Sequence, residues 1–394
     1  MPFHILRDFS ARFFFNNYRS KCQQLSEVDV DTTDVLSHQY FISLKEKYAC
    51  HLQWLDNKNL LNSANEIISL PYLSIIDKHP SLKISEPREY VSFAPYYWLD
   101  EDVPVMSKSK VKPTKKDGQA NPFLSQRSDK PKLAQLCGRT HLLALAFLKT
   151  KNISYLHYIE KQLNIWFVED DTRMFAHLKR AQIFPWSGKK RGFGIIDARW
   201  LILLIDALAM IKPEKESDNL LINKVCHWLL RFCDWLLKSF SGISELSRRN
   251  NRGSWVDALL CYIALAVNRT DLALHISSFS LSNRVTKQLS DDGLQPLELV
   301  RGMPVSYSLY NIFPVLYLAE ISAQLEQHNV TCSNVMRLEN STKDLIKLID
   351  GREEGNIESI DYKSTFDLNL YYPYSFEQIK YFPAVMPFTH NRLN

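Results

Sequence analysis

The chain has 394 residues, is 45% hydrophobic and 23% charged, and carries a formal net charge of +5. This composition is that of an ordinary soluble globular protein, and the length fits one large domain or two average ones. The mild positive charge is far from the dense Lys/Arg stripe of a nucleic-acid-binding domain, but it suits a cleft that receives polyanions. The seven cysteines include no CxxC pair, which argues against a disulfide scaffold and against a zinc site.

Residues 1–88 predict two or three helices, with hydrophobic residues and Trp54 at helical spacing and with Pro71 and Pro80 as stops. Arginines interrupt the short apolar stretches of residues 1–22, so no ordinary signal peptide is expected. This part of the chain shows no motif that indicates chemistry, and we expect it to be an N-terminal helical segment.

An aromatic, extended segment at residues 89–98 comes next, and a polar loop follows it as far as Arg127. The loop contains five lysines before a turn-forming Asp117-Gly118 pair: Lys108, Lys110, Lys112, Lys115 and Lys116. A loop of this length is usually a lid, a binding loop or disordered. Two alternatives stay open, a solvated lysine loop and a lid that contacts a substrate.

From residue 133 onward, hydrophobic residues recur at helical spacing. The predicted helices cover residues 133–149, 155–168, 197–211, 220–240, 255–267, 272–289, 296–325 and about 341–348. Short loops join them in pairs, without strong strand alternation or a fixed sequence period. We therefore predict an all-α fold, an incomplete (α/α) toroid of paired helices over residues 89–350, with a tail at residues 351–394 that packs on it.

The longest apolar run of the chain is residues 195–211. Asp197, Arg199 and Asp206 interrupt it, so it predicts a core helix rather than a membrane span. Asp197 and Arg199, at the start of this helix, are expected to cap and to pair rather than to catalyse.

Two polar segments precede apolar helices. Residues 250–255 read Asn-Asn-Arg-Gly-Ser-Trp, and residues 291–301 read Asp-Asp-Gly-Leu-Gln-Pro-Leu-Glu-Leu-Val-Arg, followed by Tyr307. Glycine allows the close approach of a backbone or a ligand, and proline is tolerated in a first helical turn. Two helix starts that present amide, guanidinium and phenol groups predict a cleft for an anionic, hydroxyl-rich ligand.

The same residues also have structural interpretations. Asn250 and Asn251 are typical helix caps, and the Asp-Gly pair of the second segment is a turn former. Glu298 and Arg301 have the spacing of a helical ion pair. Tyr307 fits a half-buried phenol of the core as well as a catalyst.

These segments resemble the alginate lyase family of polysaccharide lyases, whose members carry an Asn-Asn-His-Gly/Ser-x-Trp motif and an Asp-Gly-x-Gln-Pro-x-Glu-x-x-Arg segment that ends in a Tyr. Further similar motifs are Tyr-x-Ser-x-x-Pro-Tyr-x-Trp at residues 90–98, Asp-Gly-x-x-Asn-Pro at residues 117–122 and Gly-Ile-Ile-Asp at residues 194–197. The resemblance covers roughly residues 90–325.

Two departures from the family pattern stand out. Arg252 replaces the histidine of the first motif. In the segment that family members often read as Asn-Pro-Asn-Leu-x-Tyr-Ala-Gln, Ala181 and Gln182 are kept. The asparagines and the tyrosine are not, and Phe175, Ala176, His177, Lys179 and Arg180 stand there instead. The second departure predicts different contacts there, or a different sugar.

The resemblance implies that a uronate-containing polymer is cleaved by β-elimination, without an organic cofactor or an obligatory metal. The reaction needs donors on the uronate carboxylate, a base for the C5 proton and an acid for the departing oxygen. Asn251, Arg252 and Arg301 are expected to hold the carboxylate. Arg252 can take part in this neutralisation but cannot replace the histidine as a base, because arginine stays protonated in proteins. Tyr307 is expected to take the C5 proton and to return one to the leaving oxygen, a syn route that suits mannuronate-like sugars.

The resemblance also implies a set of substrate-binding residues around the cleft: Tyr96, Tyr97, Trp98, His177, Gln182, Trp255, Gln295 and Glu298. Core packing stays open as an alternative for Trp98 and Trp255. The expected partner is an acidic polysaccharide or oligosaccharide, with no nucleic acid and no membrane span, and the protein is expected to be a monomer.

Two other functions stay open from the sequence. The first is a degenerate protein that binds polyanionic glycans but has lost the base together with the histidine. The second is a helical interaction scaffold that docks through the lysine loop. Family members usually work in the periplasm or outside the cell, whereas no signal peptide is expected here, so the location also stays open.

Overall fold

The structure, a computed structural model, describes residues 16–26, 35–54, 57–99, 104–106, 112–190, 192–213 and 219–325, together with Ser341. Three sequence predictions lie wholly or mostly outside these residues: the helix at about 341–348, the tail at 351–394 and the first two lysines of the lysine loop.

Helices make up most of the described chain. The α-helices are residues 16–26 (α1), Gln39–Trp54 (α2), Asn57–Ser69 (α3), Pro122–Gln126 (α4), Lys130–Thr150 (α5), Ile153–Leu163 (α6), Leu201–Ile211 (α7), Leu220–Lys238 (α8), Phe240–Leu246 (α9), Asn251–Ala266 (α10), Thr270–Phe279 (α11), Thr286–Gln288 (α12), Pro296–Leu299 (α13) and Pro304–Leu325 (α14). A 3₁₀ turn at Ile195–Trp200 leads into α7, and π turns at Asn164–Val168 and Ser280–Val285 extend α6 and α11.

Two pairs of short strands flank the helices. β1 (Val91–Phe93) pairs in parallel with β4 (Arg180–Ile183), and β2 (Tyr97–Trp98) pairs antiparallel with β3 (Thr114–Lys115). The lysine loop was expected to have no structure of its own, but it contributes β3. The expectation of no strand after residue 133 misses β4, because a single short pairing produces no alternating pattern.

The long helices of the second half pack with their N-terminal ends on the same side. In α10 and α14, Trp255 Nε1 donates to the carbonyl oxygen of Tyr310 at 2.9 Å, and farther along, the ring of Tyr262 lies 5.5 Å from that of Tyr317. Because these contacts advance in the same direction along both helices, α10 and α14 run parallel.

The helices α5 and α7 are parallel for the same reason. Lys130 at the start of α5 lies 3.9 Å from Asp197, which precedes α7, and farther along, the hydroxyl of Tyr48 bridges His141 of α5 and Asp206 of α7. The start of α7 lies beside the start of α10, because the ring centre of Phe193, just before the 3₁₀ turn that leads into α7, is 5.0 Å from the guanidinium carbon of Arg252. The N-terminal ends of α5, α7, α10 and α14 therefore share one face of the ring. The all-α fold and the incomplete (α/α) toroid are thereby confirmed.

The predicted helix at residues 296–325 is in fact two helices, α13 and α14. The turn between them contains Gly302, whose N–H donates to Asp117 Oδ2 at 3.1 Å. A Cβ at Gly302 would lie 2.6 Å from the carbonyl oxygen of Asp117, so the turn approaches the lysine loop more closely than a side chain allows. Pro304 then begins α14, in the first-turn position that proline favours.

A buried ion pair fixes the segment that leads into α10. Arg284 Nη2 donates to Asp257 Oδ1 at 2.9 Å and to the carbonyl oxygen of Leu246 at 2.8 Å, and its Nε also donates to Asp257. The hydroxyl of Tyr18 donates to the same carboxylate at 3.0 Å. Because all of these groups are buried, loss of one partner would leave a charge without compensation.

The apolar run that the sequence assigned to the core is buried as predicted. All residues of α7 are buried. No helix among the described residues is long and apolar enough to cross a membrane. Cys22, Cys137, Cys226, Cys233 and Cys261 are buried free thiols, which pack as small hydrophobic residues.

Candidate active site

The centre of the candidate site is the carboxylate of Glu298, on the short helix α13. Glu298 is 1% exposed. Its Oε1 accepts a hydrogen bond from the backbone N–H of Asn251 at 2.9 Å, and its Oε2 accepts one from Asn251 Nδ2 at 2.8 Å. Burial raises the pKa of Glu298, while the two hydrogen bonds from Asn251 and the charge of Arg301 oppose that shift.

Glu298 therefore has two structural effects on α10. It satisfies the first N–H of the helix, which the Asn250 side chain, at the N-cap position, does not do. It also fixes the orientation of the Asn251 amide. The interpretation of the asparagines as side-chain caps is thus wrong for Asn250, and Asn251 donates its hydrogen bonds to a residue on another helix.

Arg301, in the turn after α13, is held by the lysine loop. Its Nε donates to Asp117 Oδ2 at 2.9 Å and its Nη2 to Asp117 Oδ1 at 3.1 Å, a bidentate pair. These hydrogen bonds lower the pKa of Asp117. The predicted ion pair with Glu298 is longer, 3.8 Å from Arg301 Nη1 to Glu298 Oε2. In the structure, the carboxylate that Arg301 binds in a bidentate manner belongs to Asp117.

Tyr307, in the first turn of α14, lies against Arg301. The guanidinium carbon of Arg301 is 3.7 Å from the centre of the Tyr307 ring. Tyr307 is 4% exposed, and its hydroxyl donates to the hydroxyl of Tyr96 at 2.8 Å. A fixed cation therefore lies where negative charge would build up if Tyr307 released its proton.

Arg252 follows Asn251 in the first turn of α10. Its side chain is 26% exposed, and its Nη1 lies 3.4 Å from Oε1 of the fully buried Glu245 on α9. The guanidinium carbon is 5.0 Å from the centre of the Phe193 ring. Because arginine stays protonated in proteins, this position supplies a partly exposed cation and no base.

The aromatic segment at residues 96–98 lies beside Tyr307. Tyr96 contacts it directly, while Tyr97 packs edge-on against Phe184, with 5.4 Å between the ring centres. Trp98 is half-buried, donates from Nε1 to the carbonyl oxygen of Gln119 at 3.2 Å, and has Lys116 Nζ 4.9 Å from its ring centre. The hairpin of β2 and β3 thus borders the site with aromatic rings and a lysine.

Gln182 is buried beneath this region. It is 4% exposed, and its Nε2 donates to Asp197 Oδ1 at 3.0 Å. Asp197 Oδ2 also accepts hydrogen bonds from Ser92, at 2.6 Å, and Tyr90, at 3.2 Å. Asp197 therefore pairs, as the sequence predicted, and the Gln182 amide nitrogen is committed to it.

His177 belongs to a different group of side chains. Its ring centre lies 5.6 Å from that of Phe175 and 6.0 Å from that of Trp235 on α8. Burial and the nearby Lys179 lower its pKa. These contacts connect His177 with an aromatic cluster and not with the pair formed by Asn251 and Glu298.

Two further residues of the predicted substrate-binding set, besides Gln182 and Glu298, lie in the packed interior. Trp255 is 4% exposed and hydrogen-bonded through its indole to α14, so the structure favours the core alternative for it. Gln295 is 2% exposed, donates to the carbonyl oxygen of Ser308 at 3.0 Å and accepts from Asn311 at 2.9 Å. Both side chains therefore contribute to the packing around the site.

The helix starts around this site give it a positive potential. Asn251 and Tyr307 lie in the first turns of α10 and α14, on the face where α5 and α7 also begin. Helix N-termini carry partial positive charge and unpaired N–H groups, which favour anions. Among the residues that the structure describes, no group of three His, Cys, Asp or Glu side chains is placed to hold a metal ion.

Sequence reasoning missed three contributors to the site: Asp117 as the partner of Arg301, and Glu245 and Phe193 as the neighbours of Arg252. Asp117 and Phe193 are distant from their partners in sequence, and Glu245, although only seven positions from Arg252, lies on a separate helix, so no helical spacing rule finds these contacts. The family-like Asp-Gly loop did mark Asp117, though not its contact.

Comparison with known proteins finds a matching family and a similar solved structure. The sequence model of the family described as alginate lyase matches residues 77–352, well over half of the chain. An alginate lyase from Bacteroides ovatus, known from a crystal structure, is similar with a TM-score of 0.71 and 26% sequence identity, over 86% of this chain and 89% of that one. No curated protein sequence matches the chain.

Proposed function

We propose, from the premise that this chain belongs to the alginate lyase family of polysaccharide lyases, that it cleaves a uronate-containing polymer of the alginate or polymannuronate type by β-elimination. The observation that carries the proposal is the continuous set of contacts from Asn251 through Glu298 and Arg301 to Tyr307. It assembles an oriented amide, a cation and a phenol at the helix starts, which are the groups that this elimination requires.

The first requirement is to neutralise the uronate carboxylate, because loss of the C5 proton builds negative charge on it. In our proposal, the Asn251 amide, oriented by Glu298, and the partly exposed Arg252 guanidinium bind this carboxylate. Arg301 contributes mainly its charge, because two of its donors are committed to Asp117. The remaining Nη1 group lies on the side of Glu298.

The second requirement is proton transfer. Tyr307 removes the C5 proton, a double bond forms between C4 and C5, and the bond from C4 to the glycosidic oxygen breaks. The same phenol then returns the proton to the leaving oxygen, so that both transfers occur on one face of the sugar. Tyr307 is therefore a phenolate before it takes the C5 proton, a neutral phenol between the two transfers, and a phenolate again after it has protonated the leaving oxygen. Arg301, 3.7 Å above the ring, stabilises the phenolate form.

A second candidate function is a non-catalytic binder of polyanionic glycans. Two observations favour it: Arg252 stands where family members carry a histidine and cannot serve as a base, and the hydroxyl of the largely buried Tyr307 is engaged by Tyr96. In this function, Asn251 and Arg252 would bind a carboxylate without any elimination.

The experiment that decides between these functions follows the ultraviolet absorbance of the unsaturated uronate product. The purified chain is mixed with polymannuronate, polyguluronate, polyglucuronate and glycosaminoglycans. We expect absorbance to rise with at least one polymer and the rate to fall roughly 100-fold or more in Tyr307→Phe. Tyr72→Phe, at an exposed position, is the matched control and should retain the parent rate.

A flat trace with every polymer, together with measurable binding, would support the binder. Absence of both cleavage and binding would instead point to the helical interaction scaffold. A Tyr307→Phe variant as active as the parent chain would overturn the assignment of the acid and base.

A further inference from the structure

Arg252, one of the proposed carboxylate-binding groups, has a second cation beside it, Arg248. The guanidinium carbon of Arg248 is 4.4 Å and that of Arg252 is 5.0 Å from the centre of the Phe193 ring. Two arginines thus share one aromatic ring, immediately before and within the first turn of α10. The proposed elimination uses Arg252 but assigns nothing to Arg248 or to Phe193.

The negative charge available to this pair is small. Among the described residues, Glu245 is the carboxylate that interacts with both arginines, and it is fully buried. Arg252 lies 3.4 Å from it. Burial raises the pKa of Glu245, and the charges of Arg252 and Arg248 oppose the shift. Glu245 alone does not balance the two cations, and Glu298, the second carboxylate on which Arg252 acts, accepts its hydrogen bonds from Asn251.

The hydrogen-bonding capacity of Arg248 is also largely unused. Its Nη2 lies 3.4 Å from the hydroxyl oxygen of Ser244, a long contact, and its Nε is buried with no hydrogen-bond partner among the described residues. A guanidinium on an aromatic ring is held in place by that ring, while its N–H groups stay in the guanidinium plane, where they can bind a carboxylate or a sulfate in a bidentate manner.

The pair is connected to the centre of the site. Arg252 directly follows Asn251 in the chain, and its charge also acts on Glu298. An anion bound between Arg248 and Arg252 would therefore be a neighbour of the carboxylate bound by Asn251. A polymer in which every uronate is followed by an uncharged sugar has no anionic group on the adjacent sugar and could not fill both places.

We propose that Arg248 and Arg252, held on the ring of Phe193, form a second anion subsite that binds an oxyanion on the sugar next to the cleaved linkage. This inference rests on the proposed function for the polymeric substrate. The oxyanion is either the carboxylate of an adjacent uronate or a sulfate ester. In both cases the preferred substrate carries closely spaced negative charges, and a polymer in which uronates alternate with uncharged sugars binds less well.

The test measures binding rather than cleavage, so that it stays informative if the chain is not a lyase. Every protein carries Tyr307→Phe, which prevents consumption of the ligand. Calorimetric titration at constant low salt compares three polymers: polyglucuronate, unsulfated heparosan with alternating uronate and uncharged sugar, and sulfated heparan sulfate. Arg248→Gln is compared with Arg231→Gln, which removes the same charge from an exposed position on α8.

We expect polyglucuronate or heparan sulfate to bind more tightly than heparosan, and Arg248→Gln to reduce that preference roughly ten-fold or more. Preference for polyglucuronate identifies an adjacent carboxylate, and preference for heparan sulfate identifies a sulfate ester. Phe193→Leu keeps an apolar side chain but removes the ring, and it should weaken the preference in the same direction.

The proposal fails if Arg248→Gln has no larger effect than Arg231→Gln, or if it weakens binding to all three polymers equally. Either result would mean that Arg248 acts only through the general charge of the protein. Thermal denaturation of each variant checks that the fold is intact.

Discussion

Asp117 holds Arg301 through both of its carboxylate oxygens, at 2.9 Å and 3.1 Å, across 184 positions of the sequence. The same carboxylate accepts the N–H of Gly302. One residue of the lysine loop thereby fixes the turn between α13 and α14, and with it the guanidinium that covers Tyr307. The loop is thus part of the site and not only a border to it.

Removal of this contact should loosen the loop before it affects the fold. Since Asp117 and Arg301 are each about one quarter exposed, we expect Asp117→Asn to cost about 1 kcal/mol or less of global stability. Amide hydrogen exchange in residues 114–121 should become faster, and KM for the polymer should rise several-fold. Exchange in that loop unchanged from the parent chain would show that Asp117 does not restrain it. Asp234→Asn, an exposed carboxylate on α8, is the control.

Glu298 is predicted to matter for both stability and activity. Glu298→Ala leaves the first N–H of α10 and the Asn251 amide without their buried acceptor, so we expect a loss of about 1–3 kcal/mol in the free energy of unfolding. Activity should fall as well, because Asn251 is no longer oriented. Urea denaturation and the lyase assay measure the two effects, with the exposed Glu160→Ala as control. A Glu298→Ala variant with the stability and the activity of the parent chain would contradict the role of Glu298 as the acceptor that orients Asn251.

Arg252→His should change the stereochemical preference of the reaction. Arginine neutralises but cannot accept a proton, whereas histidine can serve as a separate base. Polyguluronate needs a base on the other face of the sugar. We therefore expect the ratio of the rate on polyguluronate to the rate on polymannuronate to rise at least roughly ten-fold in the variant. The ratio of initial rates on the two polymers is the measurement. An unchanged ratio would mean that residue 252 does not face the C5 proton.

The buried Asp206 predicts how the stability of the fold depends on pH. It is fully buried, Tyr48 donates to its Oδ2 at 3.2 Å, and its Oδ1 has no hydrogen-bond partner among the described residues. Burial raises its pKa well above the ordinary value, the hydrogen bond from Tyr48 opposes the shift, and the nearby Glu320 adds to it.

The raised pKa of Asp206 determines how the stability of the fold changes with pH. Below the pKa of the unfolded state, about 4, Asp206 is protonated in both states and its contribution to stability is complete. As the pH rises from there to the raised pKa of the folded state, the unfolded chain ionises first and stability is lost. At neutral pH, Asp206→Asn should therefore have a free energy of unfolding higher than that of the parent by about 1 kcal/mol or more, as measured by urea denaturation. Near pH 4 the difference between the two chains should be smaller. A difference between the two chains that is the same at both pH values would rule this out.

The helical periodicity predicted the helices of the ring well, since each has a continuous apolar face. It failed where a break depends on a distant contact, as at Gly302, which the lysine loop approaches too closely for a side chain. The sequence singled out Asn251, Glu298, Arg301 and Tyr307, and the structure brings these side chains together. Their catalytic roles stay predictions.

The partners of these residues were harder to predict. Spacing along a helix suggested that Glu298 pairs with Arg301, but the closer partner of Glu298 is Asn251 on another helix. Trp255 and Gln295 belong to motifs similar to those of the family, and their burial shows that a motif residue can shape a site without facing it.

The first two residues of α10 differ in how freely they can be replaced. Asn251 is 3% exposed and hydrogen-bonded to Glu298 through main chain and side chain, whereas the side chain of the neighbouring Arg252 is 26% exposed and contacts Glu245 through a long ion pair and the ring of Phe193. A substitution at residue 252 can therefore alter proton transfer and sugar choice with little effect on folding, while one at residue 251 disturbs the helix itself. This separation gives the fold room to evolve new specificities one mutation at a time.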